Sequence, residues 1–128
     1  MNETHTILII DDDETVCDML TAVLSASGYR VLAAGDGRKG LGLAQSERPG
    51  MILCDGCMPG MTGVEVVNSL KGDQATAGIP VIMMSGKPLI EGLELWRDSL
   101  FFLQKPFTVV ELIAAIKSVL PKAAQGVA

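Results

Sequence analysis

The sequence predicts an open, doubly wound α/β sheet, and three observations support that fold class. Short apolar runs alternate along the chain with stretches whose apolar residues recur at helical spacing. The runs are apolar on both faces, as expected for parallel strands that are covered by helices on both sides. Several runs end abruptly at an acid or a hydroxyl group, at the edge where such sheets bind their ligands.

Five segments are predicted as strands. The three strongest are "TILII" at 6–10, "MILC" at 51–54 and "PVIMMS" at 80–85. Two weaker candidates are "YRVLAA" at 29–34 and "LFFLQ" at 100–104. Their lengths are typical of buried strands in a parallel sheet.

The first two predicted helices differ in quality. The first contains a regular apolar stripe between Val16 and Leu24 and is expected to stop at Gly28. The second, over 36–46, contains Gly40 and Gly42, each of which is expected to cost about 1 kcal/mol relative to alanine.

Capping signals mark the other helices. The third follows Thr62, which is three residues before Glu65, a spacing typical of a capping box. A short fourth helix is expected after Pro88, with its apolar positions at Leu89, Leu93 and Trp96. The fifth follows a second capping box, formed by Thr108 and Glu111.

Five strands joined by right-handed crossovers favour the flavodoxin-like strand order 2-1-3-4-5, with five helices. The chain of 128 residues is long enough for one such domain. We expect a single domain over 1–128, with a core at about 5–120 and a flexible tail at 121–128.

Composition narrows the classes of function. The net charge of −5 argues against a nucleic-acid surface on this domain, since duplex binding needs a basic face. No apolar run approaches the roughly 18 residues of a membrane span, and the polar start "MNETHT" does not have the order of a signal peptide. We therefore expect a cytoplasmic protein with no membrane contact.

The ends of the predicted strands carry the reactive side chains. The sheet should bring these groups together at one edge. They are Asp11, Asp12 and Asp13 after the first strand, Asp55 after the third, Ser85 at the end of the fourth and Lys105 after the fifth. Clustered acids repel one another, and a divalent cation such as Mg²⁺ removes that conflict. A carboxylate near such a cation can form an acyl phosphate.

Four segments together resemble the receiver domain of two-component response regulators. They are "ILIIDDD", "MILCDGCMPGMTG", "PVIMMSG" and "LQKPF", and they cover almost the whole chain in the family's order. The resemblance implies a signalling switch that catalyses only its own phosphorylation and dephosphorylation, and it does not imply a metabolic enzyme.

The resemblance also implies a magnesium site. Asp11 and Asp12 match the family's metal-binding acid pair. Asp55 matches the acid that accepts the phosphoryl group and also contacts the metal. Cys57, two residues further on, matches the position whose backbone carbonyl binds the metal. Asp13 is expected to cap the following helix, or to be an acid of its first turn, rather than to bind the metal.

The remaining roles concern catalysis and switching. Ser85 matches the hydroxyl residue and Lys105 the lysine that accompany the phosphoryl acceptor, and both are expected to be catalytic. Ser85 and Phe102 match the two switch positions. The implied donor is a histidine kinase or a histidine phosphotransfer protein. The implied output partner binds the face formed by the fourth helix, the fifth strand and the fifth helix.

The chain departs from the family pattern in three places. Thr62 replaces the usual aspartate between Met61 and Gly63, and Phe102 lacks the hydroxyl of the common tyrosine. The segment 86–101 departs most, because "WRDSLFF" replaces the usual small residues before the fifth strand.

Three alternatives remain. In a haloacid-dehalogenase-like phosphatase, Asp11 would be the nucleophile and Asp13 the acid/base, but Asp55 would have no role. In a pseudo-receiver, the same fold would bind partners without ever being phosphorylated. A redox or metal site at Cys54 and Cys57 would fit their C-x-x-C spacing.

Overall fold

A computed structural model describes residues 5–86 and 100–125, and within these ranges it contains five strands and four helices. The strands are β1 (Thr6–Ile10), β2 (Arg30–Ala34), β3 (Met51–Asp55), β4 (Val81–Ser85) and β5 (Leu100–Gln104). The helices are α1 (Glu14–Ala26), α2 (Gly37–Glu47), α3 (Gly63–Gly72) and α4 (Val109–Gln125).

The five strands form one parallel sheet in the order β2-β1-β3-β4-β5, which confirms the predicted order. The described residues contain four helices where five were predicted for the chain. The predicted fourth helix, after Pro88, lies outside the described residues. α4 continues to Gln125, beyond the predicted core boundary at about residue 120.

The register of the sheet places the ends of the strands at one edge. Cys54 lies opposite Ile10, Met84 opposite Asp55, and Gln104 opposite Ser85. Asp11 and Asp12 after β1, Asp55 and Ser85 at the ends of β3 and β4, and Lys105 after β5 therefore lie at this edge.

Two apolar cores cover the two faces of the sheet. α1 and α4 pack on one face, where Ile7 and Ile9 of β1 point. Leu8 and Ile10 point to the other face, which contains buried residues of α2 and α3. Every residue of β3 and of β4 is buried, which explains why these strands read as continuous apolar runs.

The predicted helix signals are observed. Both capping boxes form: the Glu65 and Glu111 N–H groups donate to the Thr62 and Thr108 hydroxyl oxygens at 3.2 and 3.1 Å. Gly28 follows α1 with a φ of +95°, in the left-handed region that favours glycine.

None of the helices in the described part of the chain is long and apolar enough to span a membrane.

The two glycines of α2 differ in their surroundings. A Cβ atom on Gly40 would collide with Cδ1 of Ile10 and would lie 2.7 Å from its Cγ1. A Cβ atom on Gly42 would meet nothing within 4 Å. Gly40 therefore lets α2 approach the strand that ends at the acid cluster, whereas the space at Gly42 is open.

These two positions give a matched pair of substitutions. We expect Gly42→Ala to raise the free energy of unfolding by up to about 1 kcal/mol, the difference in helix propensity. We expect Gly40→Ala to lower it by about 1–3 kcal/mol, because the added methyl group overpacks the contact with Ile10. Urea denaturation of both variants measures this, and equal effects would contradict the packing argument.

Candidate functional site

Three carboxylates meet at the carboxyl edge of the sheet. Asp11 and Asp12 directly follow β1, and Asp55 is the last residue of β3. One oxygen from each lies within 4.8 Å of the other two. Asp11 and Asp55 are buried, whereas Asp12 is exposed. The predicted cluster of acids is therefore present.

Lys105 follows β5 and faces this cluster. Its Nζ atom lies 3.5 Å from Oδ2 of Asp11 and 3.3 Å from Oδ1 of Asp55. Its backbone N–H donates to the Ser85 carbonyl at 2.7 Å, and the Lys105–Pro106 peptide bond is cis. If Lys105 and the three carboxylates are all ionised, the cluster has a net charge of −2.

Burial and charge shift the pKa values within the site. Burial raises the pKa of Asp11, and the Asp55 carboxylate raises it further. The Asp13 N–H group and the Lys105 ammonium oppose that shift without cancelling it. Burial alone would lower the pKa of Lys105, but the Asp11 and Asp55 carboxylates outweigh burial and raise it. The site thus favours the charged form of Lys105 and disfavours the ionised form of Asp11.

The start of α3 packs closely against the backbone at the end of β3, where Asp55 lies. A Cβ atom on Gly63 would lie 2.7 Å from the Asp55 carbonyl oxygen and 2.8 Å from Cα of Gly56. The Cys57 N–H group donates to Oδ1 of Asp55 at 3.3 Å. The loop after β3 therefore leaves no room for a side chain at the start of α3. The sequence placed Gly63 in a helix start but gave no sign of this contact.

Contacts from the start of α1 hold Asp11. The Asp13 N–H group donates to Oδ1 of Asp11 at 2.9 Å, and the Cys17 thiol donates to the Asp11 carbonyl at 3.3 Å. Asp13 is the N-cap of α1, and its carboxylate accepts from the Thr15 and Val16 N–H groups. Its predicted capping role is confirmed. The carboxylate that the phosphatase alternative needs as its acid/base is engaged in the cap.

Ser85 and Phe102 lie on neighbouring strands. Ser85 ends β4 and is buried, close in the sheet to both Asp55 and Lys105. Phe102 lies in the middle of β5, and 46% of its surface is exposed. The sheet thus brings Ser85 to the reactive edge, whereas Phe102 lies further back along its strand.

The two cysteines of the C-x-x-C segment have unlike surroundings. Cys54 is completely buried, and burial raises the pKa of its thiol to about 12. Cys57 is exposed, and no disulfide joins the pair. A buried thiol that stays protonated is a poor nucleophile and a poor metal ligand, which argues against the redox interpretation.

The arrangement suits a hard divalent cation. Its donor groups are carboxylate oxygens with excess negative charge, and Mg²⁺ prefers such ligands together with water. A carboxylate beside an ammonium group is also the arrangement in which phosphoryl transfer can be stabilised by charge.

The comparisons with known proteins point to one family. Residues 7–117 match the family model described as the response regulator receiver domain. The chain is 35% identical over 125 residues to the phosphate regulon transcriptional regulatory protein PhoB of Pseudomonas aeruginosa, covering 94% of this chain and 54% of that protein. It is 35% identical over 116 residues to the DNA-binding response regulator MtrA of Mycobacterium tuberculosis, covering 88% of this chain and 49% of that protein.

A solved structure shows the same fold. The chemotaxis response regulator CheY4 of Vibrio cholerae superimposes with a TM-score of 0.83 at 29% sequence identity. That match covers 92% of this chain and 100% of CheY4.

The chain spans about half the length of PhoB and of MtrA. PhoB is named as a transcriptional regulatory protein, and MtrA is named as a DNA-binding response regulator. The expectation of no nucleic-acid partner therefore finds no support in these relatives, and it stays a prediction for the domain described here. The family match over 7–117, together with the fold, shows that the chain belongs to the response regulator receiver domains, the phosphorylation-dependent signalling switches of two-component systems.

Proposed function

We propose that Asp55 is the phosphoryl acceptor of this receiver domain and that a histidine kinase or histidine phosphotransfer protein is the donor. The observation that carries the proposal is the contact of Lys105 with both buried carboxylates, Asp11 and Asp55, beside the exposed carboxylate of Asp12. Asp55 is the only one of these acids that ends the central strand β3.

The proposed cofactor is Mg²⁺, held by carboxylate oxygens of Asp11, Asp12 and Asp55 and by the backbone carbonyl of Cys57. The close grouping of the three carboxylates and their excess of negative charge support this choice. When bound, Mg²⁺ supplies positive charge that offsets the phosphoryl oxygens in the transition state.

The Asp55 carboxylate is the nucleophile of the proposed step. Its Oδ1 atom accepts from Lys105 and from the Cys57 N–H group, both at 3.3 Å, which holds the carboxylate in place. A carboxylate oxygen of Asp55 attacks phosphorus, and a new O–P bond forms as the P–N bond of the donor phosphohistidine breaks. The imidazole nitrogen leaves with the electron pair. Lys105 and the Ser85 hydroxyl bind phosphoryl oxygens.

We propose that phosphorylation changes the conformations of Ser85 and Phe102 and thereby alters the surface that the output partner binds. Ser85 and Phe102 lie on the adjacent strands β4 and β5, which supports a coupling between the acid cluster and the exposed surface at Phe102. The output partner would bind the face formed by the predicted fourth helix, β5 and α4. We place this single domain, over residues 1–128, in the cytoplasm.

The first prediction concerns the acceptor. Incubation with acetyl phosphate and Mg²⁺ should add one phosphoryl group, and Asp55→Asn should abolish the addition because an amide does not attack phosphorus. Intact-protein mass spectrometry measures the product. Asp18→Asn, which makes the same change at an exposed position of α1, is the control and should be modified normally. Modification of Asp55→Asn together with loss in Asp11→Asn would instead support the phosphatase alternative.

The second prediction uses the raised pKa of Asp11. An acid whose folded-state pKa is raised destabilises the folded state above its ordinary pKa, because the unfolded chain ionises it first. Without Mg²⁺, Asp11→Asn should therefore be more stable than the original protein at neutral pH. The difference should grow as the pH rises from the ordinary value of the Asp11 pKa to its raised value and should vanish below about pH 3.

Urea denaturation in EDTA across this pH range measures the second prediction, with Asp18→Asn as the control. Mg²⁺ should reverse the order at neutral pH, because it stabilises the intact cluster. A lower stability of Asp11→Asn in EDTA at pH 7 would contradict the account.

The third prediction concerns Lys105. Lys105→Ala should keep the fold but weaken the change in amide chemical shifts that follows phosphorylation, because the ammonium group that bridges the carboxylates is lost. Two-dimensional NMR before and after acetyl phosphate measures this. Lys117→Ala, at an exposed position of α4, is the control. Shifts of normal size in Lys105→Ala would contradict the role of this contact.

A further inference from the structure

We propose that Asp13 is a positioning residue for the acid cluster. By capping α1, its side chain holds its own backbone N–H group against Asp11, so that one Asp11 oxygen is fixed and the other faces the cluster. The inference rests on the proposed function, since it concerns how the metal ligand Asp11 is oriented.

The cap itself is well formed. Oδ1 of Asp13 accepts from the Thr15 N–H group at 2.9 Å and from the Val16 N–H group at 3.3 Å. The residue has extended backbone angles, as an N-cap requires. These two bonds fix the orientation of the peptide that precedes the helix.

The same peptide contacts the metal-site acid. The Asp13 N–H group donates to Oδ1 of Asp11 at 2.9 Å, and Oδ2 of Asp11 is then directed to Lys105 at 3.5 Å. Only residues 11–13 connect β1 to α1, so the cap and the carboxylate share one short turn. Loss of the cap would free this turn and allow the Asp11 carboxylate to rotate.

A second contact strengthens the link between α1 and Asp11. The Cys17 thiol in the first turn of α1 donates to the Asp11 carbonyl, and the Cys17 N–H group donates to the Asp13 carbonyl at 3.0 Å. The start of α1 is thus hydrogen-bonded to the first and last residues of the turn, Asp11 and Asp13.

Asp13 acts through Asp11 rather than as a ligand. It is exposed, and the group of acids whose oxygens lie within 4.8 Å of one another contains Asp11, Asp12 and Asp55 but not Asp13. Its charge alone would attract a cation from a distance. The geometry instead points to an effect of its hydrogen bonds on Asp11. A variant that removes the charge but keeps the cap distinguishes this effect from simple attraction of the cation.

The test compares Asp13→Ala, which loses the cap and the charge, with Asp13→Ser, which loses only the charge. Isothermal titration of each folded protein with MgCl₂ gives the dissociation constant. We expect Asp13→Ala to bind Mg²⁺ about tenfold more weakly, as is usual when a partner that orients a metal ligand is lost. Asp13→Ser should bind within about twofold of the original protein, because serine caps helices nearly as well as aspartate.

Asp36→Ala is the matched control. Asp36 caps α2 in the same way, accepting from the Lys39 N–H group at 2.8 Å, and it follows the neighbouring strand β2. The substitution removes one cap and one negative charge without touching the turn at 11–13, so its Mg²⁺ affinity should be unchanged. A purely structural role of Asp13 would lower the stability of both alanine variants and leave both affinities intact.

A second readout does not depend on the metal. In EDTA, the amide at position 13 should exchange its hydrogen slowly in the original protein and in Asp13→Ser, and faster in Asp13→Ala. Equal Mg²⁺ affinities of Asp13→Ala and the original protein would overturn the inference, as would an Asp13→Ser variant that binds as weakly as Asp13→Ala. If the original protein does not bind Mg²⁺ but the amide exchange changes as expected, the proposed metal site fails and the positioning of Asp11 stands.

Discussion

One ammonium group facing three carboxylates is the interaction on which the rest of this structure depends. Lys105 contacts Asp11 and Asp55, and both carboxylates are buried at the edge where the strands end. Burial of like charges is unfavourable, and a single lysine leaves the cluster with excess negative charge. Added positive charge at the site would therefore be stabilising.

The fold supplies the precision that this charge arrangement needs. Parallel pairing sets Asp55 beside the end of β4, and the backbone of Lys105 bonds to the end of that same strand. Two glycines let helices approach the strands closely: Gly63 lies against the backbone of Asp55 and Gly56, and Gly40 lets α2 pack on the Ile10 side chain of β1. Helix caps hold the short turns, so that residues far apart in the chain meet within hydrogen-bonding distance.

Much of this could be predicted from the sequence because the signals are local. Buried parallel strands read as apolar runs, and the acids, the hydroxyl and the lysine follow those runs directly, so the strand order was enough to place them together. Both capping boxes and the end of α1 near Gly28 also depend on residues that are close together in the sequence. Asp13 was predicted as a cap, and that prediction is confirmed.

The remaining features depend on contacts between segments. Gly40 looked like a defect of α2, because its partner Ile10 lies on another element. The hydrogen bond from the Asp13 N–H group to Asp11 is a property of the turn geometry and leaves no mark on residue type. The predicted fourth helix lies outside the described residues, and the roles of Ser85 and Phe102 in switching stay predictions.

A crystal structure of the protein with Mn²⁺, measured with anomalous scattering, shows whether the carboxylate cluster binds a divalent cation, since Mn²⁺ shares the preference of Mg²⁺ for oxygen ligands. We expect one strong anomalous peak that is coordinated by carboxylate oxygens of Asp11, Asp12 and Asp55 and by the Cys57 backbone carbonyl, and that lies next to Lys105. No peak in that cluster at saturating Mn²⁺, or a peak whose ligands are other residues, would contradict it.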